Sequence, residues 1–283
     1  MLLTTLISAD ELAHHLQQPN WIILDCRHDL ANPEAGRTAY DAGHIPGAQF
    51  VHLDTDLAGA KTSHEGVFQG RHPLPERLEF IARLRAWGVN ADSQVIVYDA
   101  QSGMFAARLW WMLRWVGHAA VAVLDGGLPA WVAAQHAVTQ SVALPRAGTI
   151  ADRPALAAVA HSAEVLANLK TQQKTLIDAR SPDRFRGENE TMDPVGGHIP
   201  GAKNRFFKDN LQADGSFKAA QHLRAELSEL VNDPQQAIMQ CGSGVTACHN
   251  LLALEVAGMP GAALYPGSWS EWCSDPAKPV AVG

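Results

Sequence analysis

Short apolar runs recur along the chain, each closed by a charged or chemically useful residue, with helical stretches between them. Trp21-Ile22-Ile23-Leu24 ends in Asp25-Cys26-Arg27, and Val95-Ile96-Val97-Tyr98 ends in Asp99. Leu176-Ile177 ends in Asp178-Ala179-Arg180, and Ile238-Met239-Gln240 ends in Cys241. Runs this short without polar alternation fit strands buried on both faces. Helical periodicity covers 78–87, 105–116 and 223–230, and Ser8-Ala9-Asp10-Glu11 reads as a capping box opening a short helix to about Leu16. Strands alternating with helices predict an α/β fold, a mainly parallel sheet flanked by helices.

The pattern occurs twice. The turn Gly43-His44-Ile45-Pro46-Gly47-Ala48 returns word for word as Gly197-His198-Ile199-Pro200-Gly201-Ala202, and Asp25 returns as Asp178. The capping segment returns at Ser162-Ala163-Glu164-Val165, and the stretch from Leu124 to Trp131 answers that from Leu264 to Trp272. Two copies of one unit predict two tandem domains, 1–138 and 156–283, joined by a linker over 139–155 that is poor in charge and shows no firm period. His44 and His198 stand in both copies, which points to a structural role. One difference matters chemically: Asp99 in the first copy stands where the second has Cys241. Only the second copy carries a thiol nucleophile.

Composition narrows the function. At 283 residues, 47% hydrophobic and 18% charged, the chain is long enough for two well-filled cores. A net charge of −7 with no basic run argues against nucleic-acid binding. No apolar stretch approaches the ~20 residues of a membrane span, and Asp10 and Glu11 interrupt the N-terminal segment where a signal peptide would be apolar. A cytoplasmic, reducing location is the expectation. The four cysteines, Cys26, Cys241, Cys248 and Cys273, include no C-x-x-C pair, so neither a disulfide framework nor zinc is expected, and no metal or cofactor is called for.

The segment from Cys241 to Ala247 reads as a cysteine at a strand end, two glycines, and a helix start. Gly242 and Gly244 permit a tight turn with N–H groups directed inward, and the helix start at Val245 and Thr246 adds unpaired donors. Such donors stabilise a thiolate and make Cys241 the candidate nucleophile. The alternative is a buried structural cysteine beside a glycine turn. Phosphatase chemistry would want an arginine closing a longer loop, and Ala247 stands where it would be. Cys248, two helical turns after Cys241, reads as a small buried apolar residue, with a regulatory disulfide as the sharper alternative.

The repeated Gly-His-Ile-Pro-Gly-Ala turns, the Cys-Gly-Ser-Gly-Val-Thr-Ala loop and the closing Gly-Ser-Trp-x-Glu-Trp segment together resemble the tandem-domain rhodanese family over essentially the whole chain. The loop is most similar to that of its 3-mercaptopyruvate sulfurtransferases. The resemblance implies transfer of a sulfane sulfur to Cys241 as a persulfide, then its removal by cyanide, a low-molecular-weight thiol or a thioredoxin-like protein. Thiosulfate-using members typically carry basic residues after the cysteine. Here Gly242 and Ser243 follow, which favours 3-mercaptopyruvate as donor, with thiosulfate, or a persulfide carrier with little turnover, as alternatives. Ser243, His72 and Asp54 match a set used for proton handling in the family. Arg184 matches its first substrate arginine, whereas the region of the second, 188–193, contains none, leaving Arg186 as the expected substitute. Gly242, Gly244, Val245 and Thr246 complete the expected donor-binding loop.

Overall fold

The computed structural model describes residues 2–283. Its core is two five-stranded sheets in which every pairing is parallel. The first contains β1 (Leu6–Ile7), β2 (Trp21–Asp25), β3 (Gln49–Phe50), β4 (Gln94–Tyr98) and β5 (Val121–Leu124), in the order β1-β5-β4-β2-β3. The second contains β6 (Ala158–Val159), β7 (Thr175–Asp178), β8 (Lys203–Asn204), β9 (Ala237–Gln240) and β10 (Ala263–Leu264), in the order β6-β10-β9-β7-β8. The fold is α/β, and the same strand order appears twice.

Burial explains the strands that periodicity found. Every residue of β4 and of β9 is buried, because helices cover both faces of a parallel sheet. The flanking helices are correspondingly apolar: Ala106–Trp115 buries all residues from Ala106 to Leu113, and Thr246–Val256 all from Ala247 to Leu254. Ser8 accepts from the Glu11 N–H at 3.2 Å and caps the helix Ala9–His15. Register aligns the two copies at the strand ends. Asp25 pairs with Tyr98 and Asp178 with Gln240, so the next residues, Asp99 and Cys241, are structural equivalents.

The chain forms two compact units that do not coincide with its two sequence halves. The first comprises the residues to Gly59 together with Pro75–Leu156 and Ala213–Phe217. The second comprises Ala60–Leu74, Ala157–Gln212 and Lys218–Gly283. The segment 139–155 has no helix or strand; its Gly148 and Ile150 N–H groups donate to Arg85 and Val89 of the first unit at 2.7 and 3.0 Å. Trp131 fills the first core, Trp269 and Trp272 the second. Trp131 and Trp272 each donate their ring N–H, at 2.9 Å, to a carbonyl shortly downstream, of Ala137 and Pro279. No helix among the described residues is long and apolar enough to cross a membrane.

Candidate active site

In a parallel sheet all carboxyl ends open on one edge, and the groups that follow β7 and β9 gather there in the second unit. Asp178 closes β7 and pairs with Arg180 at 2.7 Å, and the same guanidinium donates to the Gly197 carbonyl at 2.7 Å. Asp25 and Arg27 repeat this in the first unit, at 2.7 Å, with Gly43 as the acceptor at 2.8 Å. Both pairs are buried, where losing one partner costs about 3–5 kcal/mol. The turn histidines are packing residues in both copies. His44 stacks on Tyr40 and His198 on Phe185, each at 3.8 Å, and each bonds the backbone carbonyl of the residue whose ring it covers. Arg180 differs from its counterpart in what surrounds it. Burial pulls its pKa down, but Asp178 and Glu190 more than offset this, so a fixed cation stands near the cysteine.

The loop after β4 displays how this backbone treats a negative group. Asp99 Oδ1 accepts from the N–H groups of Gln101 and Gly103 at 2.8 and 2.9 Å, and Oδ2 from those of Phe105 and Ala106 at 2.8 and 2.9 Å. Burial pushes the Asp99 carboxyl up, against the pull of these four donors. After β9 the equivalent residue is Cys241, only 2% exposed. There the N–H groups of Gly242, Ser243, Val245, Thr246 and Ala247 donate to no acceptor among the described residues. The same cradle is filled in one copy and open in the other. Gly244 makes the turn with φ +74°, and a side chain there would strike the Pro266 carbonyl.

The Cys241 peptide is held from both sides. Its N–H donates to Ser268 Oγ at 3.1 Å, and its carbonyl accepts from Trp269 N–H at 3.0 Å. Ser268 has φ +54°, and its hydroxyl donates to the Tyr265 carbonyl at 2.8 Å. Sequence reasoning missed this residue. The available signal was the repeat itself: Gly127 holds the corresponding place with φ +61°, and the Leu128 N–H after it donates to the Asp99 carbonyl at 2.8 Å.

Ser243 and His72 meet, with Oγ and Nδ1 2.7 Å apart and both residues buried. His72 reaches this point on the segment 60–74, which docks along the loop after β10. The Arg71 N–H donates to Ser270 Oγ at 3.1 Å, and Gly70 lies so close to the Gly267 carbonyl that a Cβ would approach it to 2.8 Å. Asp54 belongs to the first unit, in the short helix Leu53–Asp56. Its carboxylate is 3.8 Å from His28 Nε2, and its N–H donates to His52 Nδ1 at 3.1 Å. His28, His52 and Asp54 offer ligand atoms within 4.8 Å of one another, a spacing that suits a divalent ion, although one His52 nitrogen is already used.

The arginines near the loop differ in their partners. Arg184 stands beside the loop, but its Nε and Nη2 are engaged by Glu190 at 2.8–3.1 Å, and Nη2 also by Asp193 at 3.3 Å. Arg186, expected as the second substrate arginine, is 44% exposed and pairs with Glu188 at 2.7 Å. The second guanidinium at the loop is that of Arg71, ion-paired to Asp193. A Cβ on Gly242 would lie 2.7 Å from Arg71 Nη2 and 3.7 Å from Arg184 Nη2, so a side chain there would displace the end of Arg71. Arg71 adjoins His72 in sequence, yet nothing in the local pattern around it reports where segment 60–74 docks.

All four cysteines are free. Burial, with Asp25, Asp99 and Asp56 adding to it, raises the Cys26 thiol well above its ordinary value. Burial and Asp193 push Cys273 up to about 11. Both therefore stay protonated at neutral pH. Cys248 Sγ donates to the Gly244 carbonyl at 3.3 Å and packs beneath the loop.

Comparison with known proteins agrees with this geometry. The family model described as "Rhodanese-like domain" matches residues 8–134 and 162–275. A probable 3-mercaptopyruvate sulfurtransferase of Pseudomonas aeruginosa is 46% identical over 281 residues, 98% of each chain. A putative thiosulfate sulfurtransferase of Mycobacterium tuberculosis is 41% identical over 288 residues, covering 98% of this chain and 97% of its own. The solved structure of 3-mercaptopyruvate sulfurtransferase from Leishmania major superposes with a TM-score of 0.84 at 32% identity, over 96% of this chain and 74% of that one.

Proposed function

This chain belongs to the rhodanese family, whose members among its close relatives are sulfurtransferases, and on that premise we propose that it moves sulfur from 3-mercaptopyruvate to a thiol or cyanide through a persulfide on Cys241. The Cys241 thiolate attacks the donor's sulfur. An S–S bond forms, the C–S bond breaks, and its electron pair leaves on carbon as the enolate of pyruvate. The open N–H cradle and the Arg180 cation stabilise the thiolate before attack and the persulfide after it. An acceptor thiol or cyanide then takes the outer sulfur and returns Cys241 to the thiolate.

The observation that carries the choice of donor is the 2.7 Å hydrogen bond between Ser243 and His72. An enolate must be protonated to leave, whereas sulfite need not be. A hydroxyl backed by an imidazole supplies that proton beside the nucleophile. Asp54 is assigned the third place in this set, and Arg184 a share of the donor's carboxylate. The acceptor is proposed to be a low-molecular-weight thiol or a thioredoxin-like protein in a reducing, cytoplasmic setting.

Steady-state turnover with 3-mercaptopyruvate and with thiosulfate, measured side by side with cyanide and then a dithiol, tests the reading. Faster turnover with thiosulfate overturns the donor assignment, and turnover with neither donor favours a persulfide carrier. Cys241→Ser should abolish transfer with an unchanged thermal midpoint. Ser243→Ala should lower mercaptopyruvate turnover by about 10²-fold, the lower end of general acid catalysis, and thiosulfate turnover far less. Asp54→Asn should act in the same direction and more weakly.

A further inference from the structure

The stretch 188–193, which carries no cation, brings two buried acids to the Cys241 loop instead. Glu190 receives Nε and Nη2 of Arg184 at 2.8–3.1 Å and lies 3.5 Å from Nη1 of Arg180. Asp193 pairs with Arg71 and stands 3.3 Å from Arg184 Nη2. Their side chains are 4% and 3% exposed. Glu190 also builds the turn that places Asp193, since its Oε1 accepts from the N–H groups of Met192 and Asp193 at 2.9 and 3.0 Å. Burial pushes the Glu190 carboxyl up, but Arg184 and these two N–H groups more than offset this, so it is ionised at neutral pH. With Asp178 already paired to Arg180, three carboxylates answer the three guanidinium groups at the loop, and no surplus positive charge is left there. Charges so far from solvent are screened weakly by salt. Their effect on a ligand scales with its charge, so it is twice as large for a dianion such as thiosulfate as for a monoanion.

We infer that Asp193 and Glu190 determine donor specificity: they cancel the positive field around Cys241, and so turn away dianionic sulfur donors while admitting a monoanionic one. The inference deepens the proposed function and rests on it for the identity of the donor. It assigns the selection to charges outside the loop, where the neutral Gly242 and Ser243 account only for the absence of a cation within it. The effect of these charges can also be read without turnover. Iodoacetate carries one negative charge and iodoacetamide none; both alkylate Cys241, and the modified peptide is quantified by mass spectrometry.

Asp193→Asn should raise kcat/KM for thiosulfate about tenfold and for 3-mercaptopyruvate, whose carboxylate is its one charge while the thiol is protonated, about threefold, because the charge removed acts on half as much ligand charge. The iodoacetate-to-iodoacetamide ratio should likewise rise about threefold. Glu190→Gln should move both readouts in the same direction. A merely structural role for these acids would change the two alkylation rates by one common factor, as would a change in the reactivity of the thiolate. An unchanged alkylation ratio in the variants that fold overturns the inference, and a second variant keeps the test open where one fails to fold. Faster turnover with thiosulfate in the parent enzyme overturns the donor assignment alone, and the alkylation ratio then still decides whether the two carboxylates repel anions from Cys241.

Discussion

Ser268 shows how much a single side chain contributes to placing the nucleophile. An L-residue in the left-handed region costs roughly 1–2 kcal/mol, and Gly127 occupies the same place in the other copy without that strain. The serine is kept because its hydroxyl receives the Cys241 N–H. Ser268→Ala retains the strain and leaves that buried N–H unpaired, and should destabilise the protein by about 1–3 kcal/mol in urea unfolding. Ser268→Gly should be less destabilised by about 1 kcal/mol, and both should transfer sulfur more slowly than the parent. Cys241 was legible in the sequence because its equivalent is an aspartate. Ser268 and Arg71 were not, because each acts through a backbone course that no periodicity records.

The loop joining a central strand to its buried helix is the working element of both copies. In the first copy it closes on Asp99 with four N–H bonds and is complete without a ligand. Asp99→Asn puts an NH2 against two of those donors, which should cost on the order of 2–4 kcal/mol of stability while sulfur transfer below the unfolding range is unaffected. Thermal unfolding and turnover on one preparation separate the two effects. Elements were legible in proportion to their burial. β2, β4, β7 and β9 carry apolar runs because both faces are covered, whereas β1 and β6 are only two residues long and leave no run to detect.

Across the whole molecule, stability should depend on pH through Glu271. Burial pushes its carboxyl up against the pull of Tyr265, Lys278 and His161. A raised folded value means that the group's contribution is fully present below the unfolded value of about 4.3 and lost as pH rises through the folded one. Glu271→Gln should therefore raise the Tm at pH 8, by about 2–4 °C for each kcal/mol gained, and leave it unchanged near pH 4. Calorimetry across that range checks the sign. The repeat and the fold class were legible at this scale. The assignment of 60–74 and 213–217 to opposite units was not, since these segments dock through polar contacts such as the Phe217 N–H donating to Asp125 Oδ1 at 2.8 Å rather than through an apolar pattern.

That exchange has a consequence for the gene. Ala60 and Ala213 each follow the short helix after an edge strand, β3 or β8, so the traded segments begin at equivalent points of the two copies. Cutting the reading frame between the copies would send His72 and Arg71 away with the half that lacks the thiol, and would leave Cys241 in a half missing both. The boundary at which the sequence was duplicated is not one at which the enzyme can be divided, and deleting the first copy should end the activity of the second.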